Sequence, residues 1–574
     1  MTWLPPFPAV FGRSWRLVAD FVVVACILAG FYCVATTARY WLGVATPVTR
    51  ISLAPSALPA YAVYSLIRIA VAYFLSLILA IGYAYFAAHA PRLETFLIAV
   101  LDILQSIPVL SFLPGVMLTM IALFPTRQMG VELGAILLIL TGQIWNMAFS
   151  FYSSLKSIPR ELREAAIIYR YSPWQRFFEL ELPYGAIGLV WNSMVSVAGG
   201  WFFLMACEMF VLGKRDFRLP GLGSYLQTAA SAGDTTAILW GIATMIGVVI
   251  LIDQLVWRPL IAWSDKFKFE TVESAPPPES PVLQLIRSSR ALRMLRKRTL
   301  RPLGERLTQR FGRQPEGYSG QRTPGLWRWT LAALAAGAVP LVLYAAVRAL
   351  LLLRGTTGGE LLLILKGASA TFLRVWAALL IGALWAVPAG VAIGSNPRLG
   401  RFAQPVAQIL ASVPATALFP VILLALIQLD GGLGAASILL MLLGTQWYIL
   451  FNVIAGTMAI PSDLREAAGI FRFSRPDRWR IMLLPGIFPY LVTGLTTASG
   501  GAWNASIVAE YFSFKGRTLT TLGLGSQISS ATDAGQFNVL LLCTIVMALV
   551  VVCINRLVWR PLYRLAETRY RLSG

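Results

Sequence analysis

Charge is scarce in this sequence. Only 13% of its 574 residues are Asp, Glu, Lys or Arg, against 57% that are hydrophobic. A soluble domain covers its surface with roughly 25% charged residues, so lipid must cover much of this chain. Histidine is scarcer still. His89 is the single one, which leaves no second imidazole for a His-based metal site or a Ser-His-Asp triad. The five cysteines, Cys26, Cys33, Cys207, Cys543 and Cys553, lie in or beside apolar stretches, and no Cys-x-x-Cys pair occurs. Disulfides and zinc clusters therefore have no support. No Gly-x-x-x-x-Gly-Lys-Ser/Thr segment occurs, so the chain has no P-loop to cradle nucleotide phosphates. Sustained apolar/polar alternation is weak, and Gly and Pro recur inside the apolar runs, which argues against a β-barrel. Together these absences remove most enzyme classes.

What the chain does have is a series of apolar blocks of about 20 residues, each long enough to cross a hydrocarbon core as helix. They fall near 17–37, 61–88, 97–124, 131–153, 186–212 and 236–257, and again near 328–353, 368–394, 402–428, 433–457, 488–512 and 537–559. The reading is an all-α membrane protein with 12 spans, six per half. The first block lacks a convincing small-residue cleavage site and reads as an uncleaved span. The net charge of +22 is concentrated between spans, at Arg92, Arg398 and Arg401, at Arg160, Arg163, Arg170 and Arg176, and in the central segment. That pattern follows the positive-inside tendency and not a nucleic-acid footprint. It puts both termini and the segment 258–326 in the cytoplasm.

The chain repeats itself. Glu164-Ala165-Ala166 recurs as Glu466-Ala467-Ala468, Leu182-Pro183 as Leu484-Pro485, and Gly221-Leu222-Gly223-Ser224 as Gly523-Leu524-Gly525-Ser526, all at an offset of 302. Leu255-Val256-Trp257-Arg258-Pro259-Leu260 recurs at the same offset as Leu557-Val558-Trp559-Arg560-Pro561-Leu562. Upstream the offset is 306, matching Arg68 to Arg374 and Ser106-Ile107-Pro108 to Ser412-Val413-Pro414. The four-residue change falls between Pro114 and Gly142, where a short outward loop absorbs it. An even span count per half makes the copies parallel repeats, related by an axis along the membrane normal with a path between them. The expected units are 1–263, a basic cytoplasmic linker 264–326, and 327–574. The linker opens on Ala-Pro-Pro-Pro-Glu at 275–279 and carries ten Arg or Lys from Leu283 to Arg313 against one acid, Glu305. It reads as a solvated tether, since Pro302 and Gly304 interrupt any long helix. An interfacial helix with Leu285, Ile286, Leu292 and Leu295 on its apolar face is the other reading.

Between the fourth and fifth spans of each half lies a polar segment of about 28 residues. One copy reads Ile158-Pro159-Arg160-Glu161-Leu162-Arg163-Glu164-Ala165-Ala166 and ends in Leu180-Glu181-Leu182-Pro183. The other reads Ile460-Pro461-Ser462-Asp463-Leu464-Arg465-Glu466-Ala467-Ala468 and ends in Met482-Leu483-Leu484-Pro485. Proline suits the first turn of a helix, and acids there meet the positive end of its dipole. The Ala pair offers a smooth face for close approach, and the later Pro is expected to halt the segment before the chain re-enters the membrane. Such a short helix between two spans is a mechanical lever.

In this segment the chain resembles the permease subunits of bacterial ABC importers, whose EAA loop is the coupling helix that seats in a cleft of the ATPase. The resemblance covers nearly all of both halves and implies the type I importer permease fold, with Arg163, Glu164, Ala165, Ala166 and Arg170, and Arg465, Glu466, Ala467, Ala468 and Arg472, as ATPase-coupling residues. Arg170 and Arg472 stand where the family usually has Gly, which suggests a continued helix or an ionic contact with the partner. Ser65-Leu66-Ile67-Arg68 and Thr371-Phe372-Leu373-Arg374, Trp201 with Glu208, Trp503 with Glu510, and the Gly-Leu-Gly loops look like the nitrate, sulfonate, taurine and bicarbonate importers. The resemblance implies no cofactor on this chain. It implies ATP and Mg used by a separate ATPase, present as two copies of one subunit, with a periplasmic substrate-binding protein as further partner, in a bacterial inner membrane.

Charged and polar groups inside spans default to functional hypotheses. Arg68 and Arg374 either draw an anion into a central path or snorkel to the interface. Glu208 and Glu510 repel an anion, so a structural or gating ion pair is the preferred reading. Ser106, Pro108, Ser412 and Pro414 break helices beside the path, freeing backbone groups that must face protein or water. Trp145, Trp447, Trp201 and Trp503 constrict the path or pack the core. Gln143, Asn146 and Asn504 are neutral polar candidates for lining it. A secondary transporter with a 6+6 repeat is the main rival, but it needs a relay of membrane acids, and the spans offer few besides Asp102, Glu208, Asp253 and Glu510. A scaffold or sensor without transport is the third reading.

Overall fold

The computed structural model describes residues 13–43, 50–267, 280–298 and 357–569, less a few gaps of one to three positions within them (429–431 the longest), and isolated positions of 299–356. The expected span at 328–353, the Pro-rich opening of the linker and Pro414 lie outside the described residues. The first half begins with α1 (Arg13–Leu42) and α2 (Leu58–His89). It continues through α3 (Glu94–Ser106), α4 (Leu113–Leu123), α5 (Met129–Ser157) and α6 (Arg160–Ile168). The long α7 (Pro173–Glu208) leads to a small hairpin, β1 (Val211–Leu212) with β2 (Arg215–Asp216), and then to α8 (Leu222–Ala232) and α9 (Thr235–Ser264). Two short linker helices follow, α10 (Pro281–Ser288) and α11 (Arg290–Leu295).

The second half repeats the order. Its elements are α12 (Gly358–Ser395), α13 (Pro397–Ser412), α14 (Ala415–Gln428), α15 (Leu433–Met458) and α16 (Ser462–Ile470). The long α17 (Arg475–Ala509) is followed by β3 (Tyr511–Phe514) with β4 (Arg517–Thr520), then α18 (Leu524–Ala534) and α19 (Phe537–Ala566). Eight helices among the described residues are long and apolar enough to cross a membrane. They match the second, fourth, fifth and sixth expected spans of each half.

The third spans are not continuous. α3 stops at Ser106 and α4 starts only at Leu113, with Pro108 extended at φ −60 and ψ 118. In the copy, α13 stops at Ser412, and Val413 is extended at φ −79 and ψ 118. Proline removes a helical N–H and pushes its predecessor out of the α region, so these breaks fall where the Ser-x-Pro triplets stand.

Pro183 and Pro485 do the opposite of what the sequence reading expected. The helix does not halt. A π-helical turn, Arg176–Glu181, precedes Pro183, and its copy, Arg478–Leu483, precedes Pro485. The same device recurs at Asp253–Trp257 before Pro259 and at Asn555–Trp559 before Pro561. Widening one turn moves aside the carbonyl that the proline ring would strike and leaves the missing N–H without a required acceptor. The fifth span and the polar segment before it are therefore one helix, α7 in the first half and α17 in the second.

Within each half the core is a three-helix layer, α2 with α5 and α7, and α12 with α15 and α17. Small residues set its spacing, as in membrane bundles generally. A Cβ on Gly390 would stand 2.8 Å from Val453 Cγ1, and one on Gly494 would stand 3.0 Å from the Tyr448 carbonyl oxygen and 3.1 Å from Ile449 Cα. The outer faces carry Phe74, Ile78, Leu380 and Leu384, the last 80% exposed, which suits contact with acyl chains. The halves exchange contacts reciprocally. The α3–α4 break of the first half meets α17 and α19, where Asn504 Oδ1 accepts from Leu110 N–H at 3.4 Å and Thr544 Oγ1 donates to the Ser111 carbonyl at 3.2 Å. In return α13 and α14 pack on α9, and α14 on α7. The described part of the linker breaks at Ser289, whose hydroxyl donates to Asp20 Oδ1 of α1 at 2.6 Å.

Gly494→Val forces a branched side chain against backbone and is expected to destabilise the chain by about 1–3 kcal/mol. Thermal unfolding in detergent should show a lower midpoint for this variant and an unchanged one for Leu384→Ala on the exposed face.

Candidate functional site

Two constellations stand out, one at each end of the long helices α7 and α17. At the N-terminal end are the short elbows α6 and α16. Each elbow is tied to the span before it by an arginine. Arg163 Nη2 donates to the carbonyls of Leu155 at 2.9 Å and Lys156 at 3.0 Å, and Arg465 Nη2 donates to the Thr457 carbonyl at 2.5 Å. These are last-turn carbonyls that a helix leaves without partners. The Ala pair does not form the outer face that the sequence suggested. Ala166 and Ala468 are buried against the protein itself, and Ala165 and Ala467 are half-buried. Close approach is needed here within the chain. What points outward is Glu164 with Ile167, Ile168 and Tyr169, and Glu466 with Ile470 and Phe471, each of these apolar side chains at least 73% exposed.

Arg170 and Arg472 also depart from the expected continued helix. They are the two non-glycine residues with positive φ among the described residues, at 51 and 47. Tyr171 N–H reaches back to the Ala166 carbonyl at 2.9 Å, and Phe473 N–H to that of Ala468 at 3.0 Å, so each elbow ends in a left-handed cap. Glycine adopts that geometry freely, whereas an L-residue meets a steric penalty of about 1–2 kcal/mol. The sharp turn is made without the glycine.

At the opposite end of α7 lies a buried polar latch. Glu208 ends the helix, and α8 begins fourteen residues later with Leu222 and Gly223. Glu208 Oε2 accepts from Gly223 N–H at 2.7 Å, and its Oε1 accepts from Ser65 Oγ at 2.6 Å and Arg68 Nη1 at 2.7 Å. Ser65 Oγ in turn accepts from Leu222 N–H at 3.0 Å. The carboxylate thus sits on the positive end of α8, where unpaired N–H groups favour an anion. The glycines are required by proximity, since a Cβ on Gly223 would stand 2.9 Å from Glu208 Oε2 and 3.0 Å from Met205 Cα. The second half repeats the latch. Glu510 accepts from Gly525 N–H at 2.9 Å, Thr371 Oγ1 at 2.8 Å and Arg374 Nη1 at 2.9 Å, and Thr371 Oγ1 accepts from Leu524 N–H at 2.8 Å.

Arg68 is fully enclosed, and its other edge is held by Glu132, from Nε at 2.5 Å and Nη2 at 2.8 Å. It neither snorkels nor presents surface to a path. Glu132 was missed from the sequence, although it stands two residues into the apolar block near 131–153 as a membrane acid in its own right. Among the described residues Arg374 has no second carboxylate. Its Nη1 donates also to the Leu522 carbonyl at 2.7 Å and its Nη2 to Thr521 Oγ1 at 2.8 Å.

The remaining candidates scatter. Trp201 and Trp503 are core residues, 2% and 0% exposed, while Trp145 and Trp447 are half-buried. Gln143 is buried with Nε2 unpartnered and Asn146 is half-buried, both on α5. Asn504 is the candidate placed at the contact between halves. Tyr448, the repeat mate of Asn146, also reaches across: a Cβ on Gly199 would lie 3.5 Å from its hydroxyl. Ser106 and Ser412 close their helices, but their side chains, like that of Asp102, lie outside the described residues. Asp253 pairs with Arg258 at 3.2 Å.

Removing one partner of a fully enclosed ion pair leaves a buried uncompensated charge, at a cost of about 3–5 kcal/mol. Arg68→Ala should lower the unfolding midpoint strongly. Arg374→Ala should lower it less, because its side chain is 15% exposed and its place can be taken by water. Equal losses in the two variants would contradict this ranking.

The model of the binding-protein-dependent transport system inner membrane component matches residues 72–256 and 378–562, more than half of the chain. The chain is 30% identical over 190 residues to the nitrate import permease protein NrtB of Leptolyngbya laminosa, covering 33% of this chain and 64% of the relative. It is 31% identical over 141 residues to the bicarbonate transport system permease protein CmpB of Synechococcus elongatus, covering 25% and 49%. It is 27% identical over 183 residues to the taurine transport system permease protein TauC of Escherichia coli, covering 32% and 62%. The match spans less than two thirds of each relative's length. With its family domain present twice in one chain and its helices repeated in the same order, the protein belongs to the binding-protein-dependent transport system inner membrane components.

Proposed function

We propose that this chain is the membrane-spanning permease of an ATP-driven importer, two permease units fused in one polypeptide and driven by separate ATPase subunits. The observation that carries the reading is the pair of elbows. Both project an apolar tip, Ile167, Ile168 and Tyr169 in one and Ile470 and Phe471 in the other, beyond a tightly anchored short helix. Each tip is followed by an arginine held in a left-handed turn. Large exposed apolar side chains in a polar loop mark a contact surface. Because both elbows have the same form, two copies of one ATPase subunit fit them, with Glu164, Arg170, Glu466 and Arg472 on the rim and ATP and Mg held by the partner. The termini and the linker are cytoplasmic in this reading, and a periplasmic substrate-binding protein delivers the solute.

The solute class follows from the relatives, whose names give nitrate, bicarbonate and taurine. All three point to a small oxyanion or an anionic headgroup. Transport is by alternating access. ATP-driven closure of the ATPase pair draws the elbows together and opens the path outward, and hydrolysis resets it. Gln143, Asn146, Tyr448 and Asn504 are proposed as the polar lining between the halves, with Trp145 and Trp447 beside them.

Affinity purification of the solubilised chain, co-expressed with a candidate ABC ATPase subunit, tests the reading. The wild type should retain the ATPase. Ile168→Asp with Ile470→Asp should lose it while the permease stays in the membrane with an unchanged unfolding midpoint. Solute uptake driven by an ion gradient, with no ATPase bound, would favour a secondary transporter instead.

A further inference from the structure

The two latches are copies that differ at the second edge of their guanidinium. In the 302-residue register Glu132 corresponds to Gly434. The correspondence is spatial as well. Glu132 grips the Nε/Nη2 edge of Arg68, and a Cβ on Gly434 would stand 3.8 Å from Arg374 Nη2 and 3.9 Å from Arg374 Nε. The edge of Arg374 that faces Gly434 is thus the edge that holds a carboxylate in the first half. Among the described residues its Nε has no acceptor, and the side chain is 15% exposed where that of Arg68 is 0%. Thr521 Oγ1, which accepts from Arg374 Nη2 at 2.8 Å, lies 3.8 Å from the same Cβ position, and its own hydroxyl hydrogen meets no acceptor among the described residues. Among the described residues the guanidinium faces two carboxylates in the first latch and one in the second.

We propose that the Arg374 edge, open over Gly434, is an oxyanion-binding subsite, and that the chain has one such subsite and not two. The occupant takes the place of the missing carboxylate. It is a small anion offering two oxygens on one side, such as nitrate, bicarbonate or the head of a sulfonate, received by Arg374 Nε–H and Nη2–H in the fork geometry natural to guanidinium. Thr521 O–H supplies the third donor. Because Nη1 stays on Glu510, whose other oxygen holds the N-terminus of α18, a bound anion acts on the same network that fastens the outer helix. Arg68 is closed to such an anion by the chain's own Glu132. The inference rests on the anion-import reading, and refines it by naming which of the two repeat-related arginines meets the solute.

The test is equilibrium dialysis of isotope-labelled nitrate against the full chain in lipid nanodiscs. Wild type should bind one nitrate per chain, displaced by bicarbonate and by methanesulfonate. Gly434→Glu restores the missing carboxylate and should weaken binding at least tenfold while matching or exceeding the wild type in unfolding midpoint. Unchanged nitrate binding by Gly434→Glu overturns the proposal, as does the absence of binding by the wild type. Retention of the ATPase is measured on the same preparations. Its loss from the wild type counts against the importer reading, whereas its retention by a Gly434→Glu chain that binds nitrate normally counts against the subsite alone.

Discussion

A guanidinium buried in a membrane bundle must have its charge and all its donors satisfied by the protein, since lipid offers nothing in exchange. That constraint organises one end of each half. Arg68 and Arg374 bring a carboxylate to the end of α7 and α17, the carboxylate needs further donors, and the exposed N–H groups of α8 and α18 supply them. The requirement for close approach then dictates the Gly-Leu-Gly sequence, and the hydroxyl of Ser65 or Thr371 closes the ring of hydrogen bonds. Three separated stretches of sequence in each half are explained by one ion pair and the helix terminus it holds.

The same long helices carry the elbows at their other ends. α7 runs for 36 residues and α17 for 35, which at a rise of about 1.5 Å per residue is roughly 50 Å of continuous rod. A π turn before each proline lets the rod pass a residue that would otherwise break it. In the proposed coupling, displacement at an elbow is carried along this stiff element to the latch at its other end. This is the mechanical content of the proposed coupling, and it depends on Pro183 and Pro485 not ending their helices.

Much of this was legible in the sequence. The apolar blocks located the long helices, the fixed offset located the repeat, and Ser106-Ile107-Pro108 marked a break that the structure contains. Glu208 and Glu510 were legible as members of an ion pair, but their partners Arg68 and Arg374 read as anion-drawing or snorkelling residues, because the sequence does not show that the four meet. What was not legible depended on distance along the chain or on local geometry that residue type alone does not dictate. Glu132 meets Arg68 across 64 residues, and no local pattern signals that contact. Arginine at 170 and 472 argued for more helix or an ionic contact with a partner, and the first of these gives way to a turn, which stands beside the buried Ala166 and Ala468 despite the left-handed backbone. The Ala pairs read as outward faces because their burial partner is the bundle itself.

The account stands or falls on the two elbows moving as a pair under the power of a separate ATPase. Spin labels at Glu164 and Glu466 in the reconstituted complex report that motion directly as a distance distribution. The account predicts a shorter separation when a non-hydrolysable ATP analogue is bound than in the nucleotide-free complex. A separation that does not change with nucleotide would contradict it.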